Sequence, residues 1–159
     1  MSNEVTKEET ENFANFMELM HKTIIEESGG HSVEVRSRGL LEGAAYKILS
    51  YCAKESSPAK IGAYVYLQIA PEQIFFDGNK RTAHVIAKIL MLQRGLHLEI
   101  HYKDAVNFIV EIADHKKELS EIEAWILKYG KTYNNEKDLQ ECIEDIKSDI
   151  INSDEYEDK

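Results

Sequence analysis

Residues 74–84 read IFFDGNKRTAH, and they place two cations where a helix is least suited to hold them. Phe75 and Phe76 run into Asp77-Gly78-Asn79, a turn-and-cap cluster, and a long apolar pattern follows. Lys80 and Arg81 therefore fall in the first turn of a helix. That end already carries roughly half a positive charge and unpaired backbone N–H groups. Basic residues there oppose the helix dipole by a few tenths of a kcal/mol each. An anion bound at the same terminus reverses the sign, because it meets N–H groups, dipole and cations together. Gly78 lets the backbone come close to such a ligand, and Asp77 offers a hard oxygen suited to the magnesium that accompanies nucleotide phosphates. Two solvated surface charges are the plainer reading. Their position directly after Gly78-Asn79 favours a phosphate site.

Working outward, helical periodicity dominates the chain of 159 residues, which has only two prolines and little β-branched alternation. Residues 8–27 put Phe13, Phe16, Met17, Met20 and Ile24 on one face and stop near Ser28-Gly29-Gly30. Residues 29–39, GGHSVEVRSRG, hold Val33 and Val35 in alternation between glycines and predict a loop or small hairpin. Helices are expected over 40–53, over 58–69 behind the Ser57 cap and Pro58, over 79–94, and over 103–114. Ser120 and Glu123 have the spacing of a capping box for a helix through Ile122, Trp125, Ile126 and Tyr129. The 79–94 segment is apolar on most sides and should be central. Beyond Gly130, Leu139, Cys142, Ile143, Ile146 and Ile150 repeat at helical spacing, and the final NSDEYEDK is expected to fray. The expected architecture is all-α, about seven helices and one small β-hairpin, in a domain over 1–130 with an acidic C-terminal helix and tail over 131–159.

The net charge of −10 argues against nucleic acid as a bulk partner. It is uneven: residues 136–159 contribute −7, so the acidity belongs mostly to the tail. No apolar run reaches the length of a membrane span, and the polar start MSNEVTKEETEN does not read as a secretory signal. Cys52 and Cys142 lack metal-ligand spacing and fit reduced thiols, so a cytoplasmic protein is expected, with no membrane and no nucleic-acid partner.

The stretch from Gln73 to Ala83 also resembles the signature of the Fic/Doc family, His-x-Phe-x-Asp/Glu-Ala/Gly-Asn-Gly/Lys-Arg. Its NKRTA ending is similar to the Doc (death-on-curing) branch, where lysine replaces the second glycine of the Fic form. IIEESGG and RGLLEGA, either side of 29–39, resemble the family's first helix, target-binding flap and second helix, and SEIEAWI resembles its closing helix. The likeness covers roughly residues 17–130. It implies a Fic/Doc-like helical domain in which Phe75 anchors the loop and Asp77 holds Mg2+. It also implies that Gly78, Asn79 and Lys80 form an anion-binding nest, that Arg81 pairs with a phosphate, and that His84 contacts phosphate where the Fic form has a second arginine. The flap, with Gly30, His31, Val33 and Val35, would align an extended target segment by strand addition. The implied chemistry is transfer of AMP or a phosphoryl group from ATP or another nucleotide to a hydroxyl of a target protein, mostly by positioning and charge stabilisation. The Doc branch further implies a toxin silenced by an antitoxin-like regulator.

Position 73 departs from that pattern. The family's histidine, the general base, is Gln73 here, and a neutral amide cannot take a hydroxyl proton near pH 7. Three readings stand side by side: a natural pseudoenzyme that keeps nucleotide or partner binding, an introduced substitution in a toxic enzyme, or a substrate phosphate acting as the proton acceptor. Thr132 to Lys137 partly resembles the Fic inhibitory motif Ser/Thr-x-x-x-Glu-Gly/Asn, with Lys137 breaking it; a plain packing helix or partner contact is the alternative for this tail. His84 is as readily an ordinary packed histidine as a phosphate contact. His21, His97, His101 and His115 show no metal spacing.

Overall fold

A computed structural model describes residues 4–133 and 139–151 of the chain. Among them lie seven helices, α1 (Lys7–Ser28), α2 (Arg38–Lys54), α3 (Pro58–Ile69), α4 (Asn79–Gln93), α5 (Tyr102–Ala113), α6 (Leu119–Tyr129) and α7 (Leu139–Ile151). Two short strands, β1 (Leu96–Leu98) and β2 (Gly130–Thr132), complete the elements. The all-α expectation holds. The paired strands, however, are not in the 29–39 segment. They form an antiparallel ribbon that matches Leu96 with Thr132, His97 with Lys131 and Leu98 with Gly130. Residues 29–37 contribute one isolated bridge, Val35 to Phe75, so this segment pairs with the 74–79 loop instead of with itself.

Local chemistry sets most helix starts. Thr6 and Glu9 form a reciprocal capping box, with bonds of 3.0 and 2.9 Å, while Ser37 and Ser57 cap α2 and α3. For α6 the cap is Glu118, whose N–H donates to Glu121 Oε1 at 3.0 Å. The expected Ser120–Glu123 box is thus corrected by two residues, and Ser120 lies inside the helix. Helix α5 is capped from a distance: Asp149 of α7 accepts the Tyr102 N–H at 2.8 Å and pairs with His101 Nδ1 at 2.7 Å.

Helix α4 is the axis of the fold. Every residue in it except Lys80, Leu90 and Gln93 is buried, against α1, α3, α5, α7 and β1. Each fully buried aliphatic side chain there, Val85 and Ile86 among them, contributes about 1.5–3 kcal/mol. Gly62 of α3 faces Met91 of α4 so closely that a Cβ would collide with the thioether, which explains why glycine sits inside that helix. In α7, Cys142, Ile146 and Ile150 join the same core, so this helix packs on the body of the domain. Residues 152–159, expected to fray, lie outside the described residues. Among the described residues no helix is long and apolar enough to cross a membrane.

Candidate functional site

The 74–79 loop is a tied structure. Asn79 closes it from within: its Oδ1 accepts the Phe75 N–H at 3.1 Å, and its Nδ2 donates to the Phe75 carbonyl at 2.9 Å. Phe75 is fully buried and stacks on His21 of α1, with ring centroids 3.7 Å apart and planes within 6°. His21 Nε2 donates to the Asp77 carbonyl at 2.6 Å. From the other side, the Arg36 and Ser37 N–H groups both donate to the Ile74 carbonyl, at 2.8 and 3.1 Å. Arg36 also reaches the Gln73 carbonyl at 3.1 Å. Two segments distant in sequence, α1 and residues 36–37, thus hold one six-residue turn.

Gly78 caps α4 with φ 81° and ψ 17°, the left-handed conformation that costs an L side chain roughly 1–2 kcal/mol. A Cβ there would also stand 2.8 Å from Ile25 Cδ1. Both facts require glycine. Gly78 has no side chain, so α4 has no side-chain hydrogen bond from its N-cap residue, in contrast to α1, α2 and α3.

Around this terminus the structure gathers Asp77, Gly78, Asn79, Lys80 and Arg81 with Gly30 and His31. Arg81 is only 2 % exposed. Its guanidinium donates to Ser28 Oγ at 2.8 Å and to the Gly29 carbonyl at 2.6 Å, and it lies 3.6 Å from Asp77 Oδ1. It points inward, tying the end of α1 to the loop, and the anion it meets is Asp77. Asp77 Oδ2 accepts the His31 N–H at 2.6 Å. Gly30 needs its bare Cα, since a Cβ would approach Asp77 Oδ2 to 2.7 Å. The side chain of Asn79 is spent on closing the loop. Lys80 is half-buried, while Gln73, Phe76, His31 and Val33 are exposed and Val35 is half-buried at the bridge.

His84 does not join this group. It is fully buried, its Nδ1 shares a 2.7 Å hydrogen bond with the Tyr66 hydroxyl, and Tyr102 meets its ring edge-on at 5.4 Å. Of the two readings of His84, its burial fits the packed histidine, because one turn beyond Arg81 α4 is already enclosed by α3 and α5. Among the described residues its Nε2 has no hydrogen-bond partner. Burial, with the Lys88 charge beside it, holds the imidazole well below its ordinary range and therefore neutral. The unfolded chain takes up a proton at this residue below about pH 6.5, while the folded chain does not. Folding stability is then expected to fall as pH drops below that point, by up to about 1.4 kcal/mol per unit until the folded group titrates. Urea unfolding between pH 7.5 and 5 checks this, and His84→Gln should flatten the acid limb.

A magnesium ion takes one or two carboxylates together with phosphate oxygens and water. Asp77 fits as the single carboxylate, although its oxygens are engaged by His31 and Arg81. No cluster of three or more His, Cys, Asp or Glu residues occurs among the described residues. Two site residues were invisible in the sequence: His21, which carried no motif, and Ser28, which read only as part of a stop signal. Of the partial inhibitory motif, Asn134 to Lys137 lie outside the described residues. No family model matches the chain, and no match is found among curated proteins.

Proposed function

We propose that the protein is a Fic/Doc-like nucleotide-binding protein of the Doc branch. It takes nucleotide phosphates at the 77–81 loop and is related to enzymes that transfer AMP or phosphate to a target hydroxyl. The observation that carries this reading is the start of α4: left-handed Gly78, no side-chain cap, and a buried Asp77–Arg81 pair beneath it. A buried ion pair adds little net stability compared with apolar packing, so its position at a helix terminus whose N-cap is a glycine supports a ligand role. The N–H groups of the first turn and the Lys80 ammonium receive phosphate oxygens. Asp77 and the phosphates would hold Mg2+, which neutralises phosphate charge when bound. Arg81 acts from below, fixing Asp77 and the α1 terminus in place. Segment 29–36 lies against the loop through the Val35–Phe75 bridge, so a target segment aligned on it is held beside position 73.

A second reading is favoured by a specific feature. Asp77 and Arg81 satisfy each other, and Gln73 supplies no base, which suits a non-catalytic module that binds a nucleotide or a protein and regulates a partner. Calorimetric titration with ATP and magnesium tests nucleotide binding in both readings. Binding is expected for the unaltered chain and should weaken about tenfold or more in Lys80→Gln, which removes a charge-assisted contact. No heat with ATP, with or without magnesium, would remove the phosphate-site proposal.

A further inference from the structure

At the far end of α4 lies a cleft of about 530 Å3. Its floor is Lys88, and its walls come from the β1–β2 ribbon, the start of α5, the end of α6 and α7. Lys88 is 5 % exposed, and its ammonium makes one hydrogen bond, to the Ile100 carbonyl at 3.2 Å. An ammonium carries three donors, and leaving a buried charge with one long contact to a neutral carbonyl is costly. The acids nearby are already committed. Glu99 pairs with Lys131 at 2.7 Å, and Asp149 binds His101 Nδ1 and the Tyr102 N–H. Lys128, Lys131, His97 and His101 add basic groups to the lining, and Asp145 joins it from the exposed side of α7.

We infer that this cleft binds a small organic anion, carboxylate- or phosphate-bearing, whose oxygens complete the hydrogen bonding of Lys88. The volume is within the range of small-molecule pockets and exceeds what a lone ion fills. Burial pulls the Lys88 ammonium below the usual lysine range, against the raising fields of Asp149 and Glu99. An anion in the cleft would oppose that downward pull by adding a countercharge to the ammonium. The site is separate from the 77–81 loop and does not depend on what that loop binds.

The test is thermal unfolding of the full chain with succinate or inorganic phosphate, at ionic strength balanced with chloride. A concentration-dependent rise in Tm is expected with at least one of the two, and which one separates the carboxylate source from the phosphate source. Lys88→Met keeps the packed stem and removes the charge. It should remain folded by circular dichroism and lose about tenfold or more in anion affinity. Lys80→Gln should keep the part of the rise that Lys88→Met loses. Absence of any anion-specific rise, an equal rise in Lys88→Met, or loss of the rise in Lys80→Gln instead would each overturn the inference.

Discussion

Replacing Gln73 by histidine is expected to raise label transfer from ATP to a protein hydroxyl by about 10²- to 10⁴-fold, the usual contribution of a positioned base. Position 73 is suited to receive one. Its side chain is exposed, while its carbonyl is held by Arg36 at 3.1 Å and the next carbonyl by two N–H groups of the flap. The backbone on which the new imidazole would stand is therefore fixed, and the substitution adds a proton acceptor without disturbing the core. Gln73→Asn, which shortens the amide and adds no base, should leave transfer at background. Label transfer with the histidine variant and none with Asn supports a disabled transferase. Silence from the histidine variant, with nucleotide binding intact, would establish the binding-module reading.

Arg81→Ala is expected to lower folding stability by about 3–5 kcal/mol. The change strips partners from three groups at once. Asp77 loses its countercharge while about nine-tenths buried, and Ser28 Oγ and the Gly29 carbonyl lose a charge-assisted donor. Arg81→Lys should recover only part of the loss, because a single ammonium cannot span the positions that the planar fork reaches. Urea unfolding of the single variants and of the Arg81→Ala, Asp77→Asn pair measures the coupling. If the double variant costs no less than the two single costs added together, the two side chains do not interact. A loss below 1 kcal/mol for Arg81→Ala would mean that the buried guanidinium does not hold the loop.

The two results bear on different levels. Arg81 acts on the architecture of the loop, since its contacts join α1 to α4 whether or not a ligand is present. Gln73 acts on chemistry alone. A variant that fails in transfer but unfolds normally belongs to the second kind, which lets the stability measurement guard the activity measurement.

Helix positions were legible in the sequence because each depends on neighbours three or four residues apart. The periodic apolar faces of α1 to α5 and the Ser57-Pro58 start are local facts, and the structure reproduces them within a few residues. The α6 cap was misread by two residues because Glu118 and Glu121 share the spacing that Ser120 and Glu123 display. Lys88 gave no signal of its own within the 79–94 segment. Its burial could not be read, since α7 and the ribbon that enclose it come from residues 96–98 and 130–151.

The sequence by itself determined the helical class and the position of α4 at the centre. These follow from short-range sterics and from the period of the apolar residues. Only the tertiary structure decided the direction of each charged or polar side chain. Arg81 turns inward because Ser28 and Gly29, more than fifty residues away, supply its acceptors. His84 is removed from the loop because α3 brings Tyr66 to it, and residues 29–37 pair with Phe75 instead of folding on themselves. A polar group goes where its hydrogen bonds are met, and in a helical fold those partners are chosen by packing between elements, not by adjacency in the chain.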